Sequence, residues 1–181
     1  EKYNIEIHYS GLPYIRTVHS VKVKAEILIF IILALLITSV ILFLFFRSFK
    51  AAIASMIVVI VGVIWAFGTI ALFDYEISIL MALVPPVLIV IGIPNCIFLI
   101  NKFHNEFKEH QNKVLALKRM VLKIGNITLL TNLTTASGFA AFTLTKSHTL
   151  QEFGIIASIN ILCIFLLSLF IIPIFFSFAN P

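Results

Sequence analysis

Five stretches of this chain stay apolar for 21 to 24 residues at a time with no formal charge in their interior, and few folds accommodate that pattern. They are Ala25 to Phe46, Ala51 to Leu72, Ile77 to Ile100, Ile124 to Leu144 and Phe153 to Phe176, with Glu26 at the mouth of the first. A bilayer's hydrocarbon core is about 30 Å thick and takes about 20 helical residues to cross. Inside it a backbone must satisfy its own polar groups, which a helix does within one segment. The predicted fold is therefore an all-α integral membrane bundle of five transmembrane helices. Of the 181 residues, 61% are hydrophobic and 12% charged, where a soluble domain has about a quarter charged. A water-soluble enzyme is excluded on that ground.

The formal charge of +5 does not point to nucleic acid. Six of the thirteen Lys and Arg residues lie between Lys102 and Lys123, joining two apolar segments. The loop 47-50 carries two more, the loop 73-76 none, and the loop 145-152 only Lys146. By the positive-inside rule, loops 47-50 and 101-123 are cytoplasmic, and the amino-terminal residues lie on the opposite side. Within 101-123, Phe103, Phe107, Val114, Leu117 and Val121 recur near helical spacing among lysines. That describes an amphipathic segment in the headgroup plane, with anionic lipid as its expected partner.

Residues 1-24 differ in kind. Tyr3, Ile5, Ile7 and Tyr9 alternate with polar residues, and Ser10-Gly11-Leu12-Pro13 supplies turn chemistry. The pattern predicts the last strand of an extracytoplasmic domain and a linker, followed by a membrane domain over 25-181. Beginning at Glu1 and ending directly after an apolar run, the chain reads as an excerpt of a longer polypeptide.

Little in the chain suggests catalysis. Cys96 and Cys163 sit singly in apolar runs, so no metal, cofactor or disulfide framework is expected. Ser137-Gly138 lacks the leading glycine of a nucleophile turn, and His148 falls in an outer loop, which argues against a serine hydrolase. Asn126-Ile127-Thr128 and Asn132-Leu133-Thr134 match the glycosylation pattern inside an apolar segment, where no transferase reaches.

The third apolar segment carries the strongest signal. Pro85, Pro86 and Pro94 free the carbonyls of Met81, Ala82 and Val90 where water is absent, which predicts a kinked helix buried in protein or lining a cavity. Asn95 needs a partner at that depth. The fourth segment offers candidates, because Asn126, Thr128, Thr131, Asn132, Thr134, Thr135 and Ser137 crowd into twelve residues. So many polar groups predict a helix inside the bundle. Gly62 with Ala66, and Gly154 with Ser158, are small pairs four apart that suit close helix approach.

The order of these segments resembles the resistance-nodulation-division (RND) superfamily, in its MMPL and Patched-like branch. Leu83-Val84-Pro85-Pro86 leading through Gly92-Ile93-Pro94-Asn95 to Asn101-Lys102-Phe103-His104-Asn105-Glu106 is similar to that branch's fourth transmembrane helix. Thr134-Thr135-Ala136-Ser137-Gly138-Phe139 resembles its fifth, and Glu152-Phe153-Gly154 with Ile172-Pro173 its sixth. Ser10-Gly11-Leu12-Pro13 resembles the exit from the first extracytoplasmic domain. The resemblance implies helices two to six of an amino-terminal half-bundle, the span called a sterol-sensing domain in eukaryotic relatives. It further implies a proton-driven exporter of lipid or other hydrophobic molecules in a bacterial cytoplasmic (inner) membrane, with membrane lipid and a second half-bundle as partners. Its relay uses an Asp-Tyr pair; here Pro94 and Asn95 stand at those positions, and neither titrates. The alternative is a module that binds sterol-like or hopanoid-like lipid without transport.

Overall fold

The computed structural model describes residues 12-46, 48-76 and 78-178. The strand expected over Tyr3 to Tyr9 lies outside them. Among the described residues there is no strand, and five long helices make up the fold. These are α1 (Leu12–Phe46), α2 (Phe49–Leu72), α4 (Val84–His110), α5 (Lys113–Ala140) and α6 (His148–Phe178). A single turn, α3 (Ile79–Ala82), precedes α4, and a 3₁₀ turn (Ala141–Leu144) follows α5.

Among the described residues three spans are long and apolar enough to cross a membrane: Phe49–Leu72, Ile79–His110 and His148–Phe178. In α1 the described apolar stretch is Leu28–Leu44. The polar crowd from Asn126 to Ser137 leaves α5 less apolar than the others. Consecutive long helices alternate in direction, and the turns are tight. Only two residues separate α1 from α2, and two separate α4 from α5.

Several boundaries differ from the sequence reading for identifiable reasons. Helical backbone begins at Leu12, not Ala25. Pro13 falls in the first turn, where a missing amide costs nothing, so the helix propagates outward from the apolar segment. Pro85 and Pro86 do not kink a continuous helix. The chain stops α3 at Ala82, turns at Leu83, and starts α4 with both prolines in its first turn. Pro94 alone lies within the helix.

The segment 101-123 is not one amphipathic helix in the headgroup plane. It is a helical hairpin in which α4 and α5 run on past the uncharged apolar runs of the sequence. Gln111 turns the chain in the left-handed region (φ 51°), and the Asn112 side chain caps α5 by accepting the Leu115 amide at 3.1 Å. Most of the apolar residues expected to face lipid turn inward. Phe103 is fully buried, its ring 4.9 Å from that of Phe176, and Phe107, Leu117 and Val121 pack on the same core. Val114 stays exposed.

Packing centres on α6, which touches α2, α4, α5 and the 3₁₀ turn, while α1 leans on α2 and α4 from outside. Water supplies no drive between helices in lipid, so close fit has to. Ile164 of α6 supplies one such fit, entering between two glycines. A Cβ on Gly62 of α2 would stand 2.9 Å from Ile164 Cδ1, and one on Gly92 of α4 would stand 2.7 Å from it. Because the obstacle is the tip of a side chain, Gly92→Ala is expected to lower the melting temperature, and Ile164→Val, which removes that tip, to restore part of it. A double variant no better than the sum of the singles in thermal melting would show that the two sites do not interact.

Candidate functional site

In the membrane-embedded part, α4 and α5 are joined by a reciprocal pair of amides. Asn95 Nδ2 donates to Asn132 Oδ1 at 3.1 Å, and Asn132 Nδ2 donates to Asn95 Oδ1 at 2.9 Å. A second bond from Asn132 Nδ2, to the Thr128 carbonyl at 2.7 Å, fixes which end of that amide is nitrogen and so fixes Asn95 as well. Asn95 is 5% exposed and Asn132 3%. The pair is uncharged and buried, so it ties two helices together and neither side chain carries a titrating proton.

Helical geometry explains why only one of the two relay-equivalent positions takes part. Adjacent residues point about 100° apart around the axis, so Asn95 faces α5 while Pro94 faces outward and is exposed. The polar residues of α5 divide the same way. Thr128, Asn132 and Ala136 fall on the buried face at spacings of four. Asn126, Thr131, Thr134 and Ser137 lie on the far side and are exposed, with Thr135 between. Of the residues expected to gather inside the bundle, the structure brings together Asn95 and Asn132. The exposed hydroxyls are satisfied on their own helix: Thr131 donates to the Ile127 carbonyl, Thr134 to Leu130, Thr135 to Thr131 and Ser137 to Thr134, all at 2.8 to 2.9 Å.

A second polar centre lies past the end of the apolar run, on the α4–α5 hairpin. Glu106 of α4 is 2% exposed. Its Oε1 accepts from Lys102 Nζ at 2.9 Å and Lys123 Nζ at 3.2 Å, and its Oε2 accepts from Arg119 Nη1 at 3.2 Å. His110 Nε2 lies 3.6 Å from Oε2 and also touches Arg119. The Lys102 bond, with those of Lys123 and Arg119, outweighs the effect of burial and holds the carboxyl down at about 2. Glu106, Glu109 and His110 have potential metal-ligand atoms within 4.8 Å of one another. Both oxygens of Glu106 are already engaged by cations, which disfavours a metal there.

A family model, that of the MMPL family, matches residues 4–179, nearly the whole chain. The chain belongs to the MMPL family. No curated protein matches it. As an RND/MMPL-type chain, it is a multi-pass membrane protein.

This MMPL chain also holds a polar tie that its sequence does not single out as a pair. Asn160 Nδ2 of α6 donates to Thr69 Oγ1 of α2 at 2.7 Å and to the Ile156 carbonyl at 2.8 Å. Thr69 sits in a run of apolar residues, so only the three-dimensional fold reveals the partnership. Glu106 is legible in the sequence merely as one acid among lysines; the spacing of Lys102, Glu106 and His110 by fours would have placed all three on one helix face.

For the amide pair, a double-mutant cycle with Asn95→Leu and Asn132→Leu is expected to give a coupling of about 0.6 kcal/mol, up to about 1.7, as for other hydrogen bonds between membrane helices. Each single variant should lose more than that, because the remaining amide is left unpaired. Additive singles in detergent unfolding would mean the pair contributes nothing specific.

Proposed function

We propose that this chain forms a half-bundle of an RND/MMPL-type transporter that exports lipid or other hydrophobic molecules and is driven by protons. The observation that carries this reading is the polar face α5 leaves uncovered. Asn126, Thr131, Thr134 and Ser137 are exposed at a depth where lipid tails would otherwise meet them, and polar groups on a membrane helix belong against protein or a hydrated path. A second half-bundle packed on α4 and α5 supplies that cover. Family membership supports the same architecture. In this reading the protein lies in a bacterial cytoplasmic membrane, with loops 47-50 and 101-123 on the cytoplasmic side.

Inside the five apolar runs of the sequence there is no Asp, Glu, Lys, Arg or His beyond Glu26, the second residue of the first run. The titrating group of the relay is therefore assigned to the second half, and Asn95 to holding α4 on α5. The full-length protein in proteoliposomes, under an imposed pH gradient, should show lipid efflux coupled to proton entry. The Asn95→Leu, Asn132→Leu variant should keep that flux, since neither amide carries a proton. Lost flux at an unchanged melting temperature would return Asn95 to the relay.

The same absence of ionisable groups favours a second reading, a lipid-binding module that senses sterol-like or hopanoid-like lipid without moving it. Saturable lipid binding with no proton-linked flux is the outcome that would select it.

A further inference from the structure

We propose that Lys102, Arg119 and Lys123 on the α4–α5 hairpin form a binding site for the phosphate group of an anionic membrane lipid. The three cations come from two helices and converge on one buried carboxylate, Glu106. Lys102 and Glu106 are four apart on α4, and Arg119 and Lys123 four apart on α5, so two antiparallel helices present one face.

Glu106 gathers the cations without satisfying them. Its two oxygens accept one bond from each, whereas an ammonium has three N–H groups and a guanidinium five. Arg119 also touches His110, and all three side chains stay accessible: Lys123 is 57% exposed, Arg119 38% and Lys102 26%. Glu109 is the one other acid on the hairpin, near His110 on the α4 side. Over residues 101-123 six Lys and Arg face two Glu, a formal excess of four positive charges.

Depth selects the ligand. Lys102 lies two residues past Ile100, where one apolar run ends, and Lys123 lies one residue before Ile124, where the next begins. Arg119 is one helical turn further out, about 6 Å. The cations therefore stand at the level where lipid phosphates lie. A lipid phosphodiester has two charged non-bridging oxygens, which suit the bidentate fork of Arg119, and juxtamembrane basic residues are held by anionic headgroups. The site does not depend on whether the protein transports.

The test uses the full-length protein in nanodiscs of phosphatidylcholine with and without phosphatidylglycerol, scoring by lipid mass spectrometry the phosphatidylglycerol retained after detergent exchange. The Arg119→Gln, Lys123→Gln variant should lose retention about tenfold more than Lys108→Gln, Lys118→Gln, which removes the same charge elsewhere on the hairpin. Lys123→Gln alone leaves Lys102 and Arg119 on Glu106, and should show part of the loss at an unchanged melting temperature in pure phosphatidylcholine. Equal loss in the two double variants, or retention unaffected by either, would overturn the site in favour of diffuse attraction or none. If inorganic phosphate raises the melting temperature in phosphatidylcholine as much as phosphatidylglycerol does, the ligand is a soluble phosphate and the lipid assignment is wrong.

Discussion

Gly154→Ala is expected to destabilise the bundle by about 2 kcal/mol, within the range for forcing extra atoms into a packed core. Gly154 opens the buried part of α6 where it passes the end of α5. A Cβ there would lie 2.7 Å from the Phe139 carbonyl oxygen and 2.9 Å from Phe142 Cβ. Unlike the tip of Ile164, these are backbone and first-carbon atoms that cannot swing aside, so the helix must move. Phe153 next to it packs edge-on to Phe139 with ring centroids 5.8 Å apart and also meets Phe142, so a shift of α6 disturbs that contact as well. Gly138 is the internal control. It lies in α5 with nothing within 4 Å of where a Cβ would stand, and Gly138→Ala should be neutral or gain up to about 1 kcal/mol in helix propensity. Thermal unfolding of the two variants side by side decides the matter: equal melting temperatures would mean that α6 has room at Gly154.

The same contrast shows how far the sequence reaches. Helix count and alternation are legible in it, because an uncharged apolar run of more than twenty residues has one stable form in lipid. Gly154 with Ser158 is legible as a small pair, though not that Phe139 and Phe142 are what Gly154 meets. The ends of the helices are not legible. Hydropathy marks where lipid stops, whereas a helix stops where its backbone finds another partner, as at Gln111 and Asn112, well past Ile100. The crowd of polar residues on α5 implies an interior helix, and within this chain Thr128 and Asn132 are covered while Asn126, Thr131, Thr134 and Ser137 are exposed. The five helices cover one side of α5, so the polar residues on its other side stand exposed beside Ile127, Leu130 and Leu133. Asn95 is identifiable as needing a partner, and the candidates from Asn126 to Ser137 include the right one. Choosing Asn132 among them requires the helix rotation that only packing fixes. The inward turn of Phe103 is hidden for a similar reason: its amphipathic pattern looks the same whether the apolar face meets lipid or α6.

Glu106→Gln is expected to cause the other large loss, and its pH dependence distinguishes it from a packing defect. Removing the charge leaves Lys102, Arg119 and Lys123 converging on a neutral amide, so their mutual repulsion, now balanced by the carboxylate, acts against the hairpin. Glu106 is held at about 2 in the folded protein against an ordinary 4.5. A depressed carboxyl contributes stability that is complete above the unfolded value and disappears as pH falls through the folded one. Melting temperature of the wild type should therefore fall between about pH 4.5 and pH 2, while Glu106→Gln starts lower and lacks that component of the slope, so the two curves converge in acid. Salt should narrow the gap at neutral pH, since the cationic partners are partly exposed and screened. Curves that stay parallel down to pH 2 would mean that Glu106 acts by shape rather than charge. Convergence would establish the hairpin as an ion-held extension of α4 and α5, joined through Glu106 as the apolar runs are joined through Asn95 and Asn132.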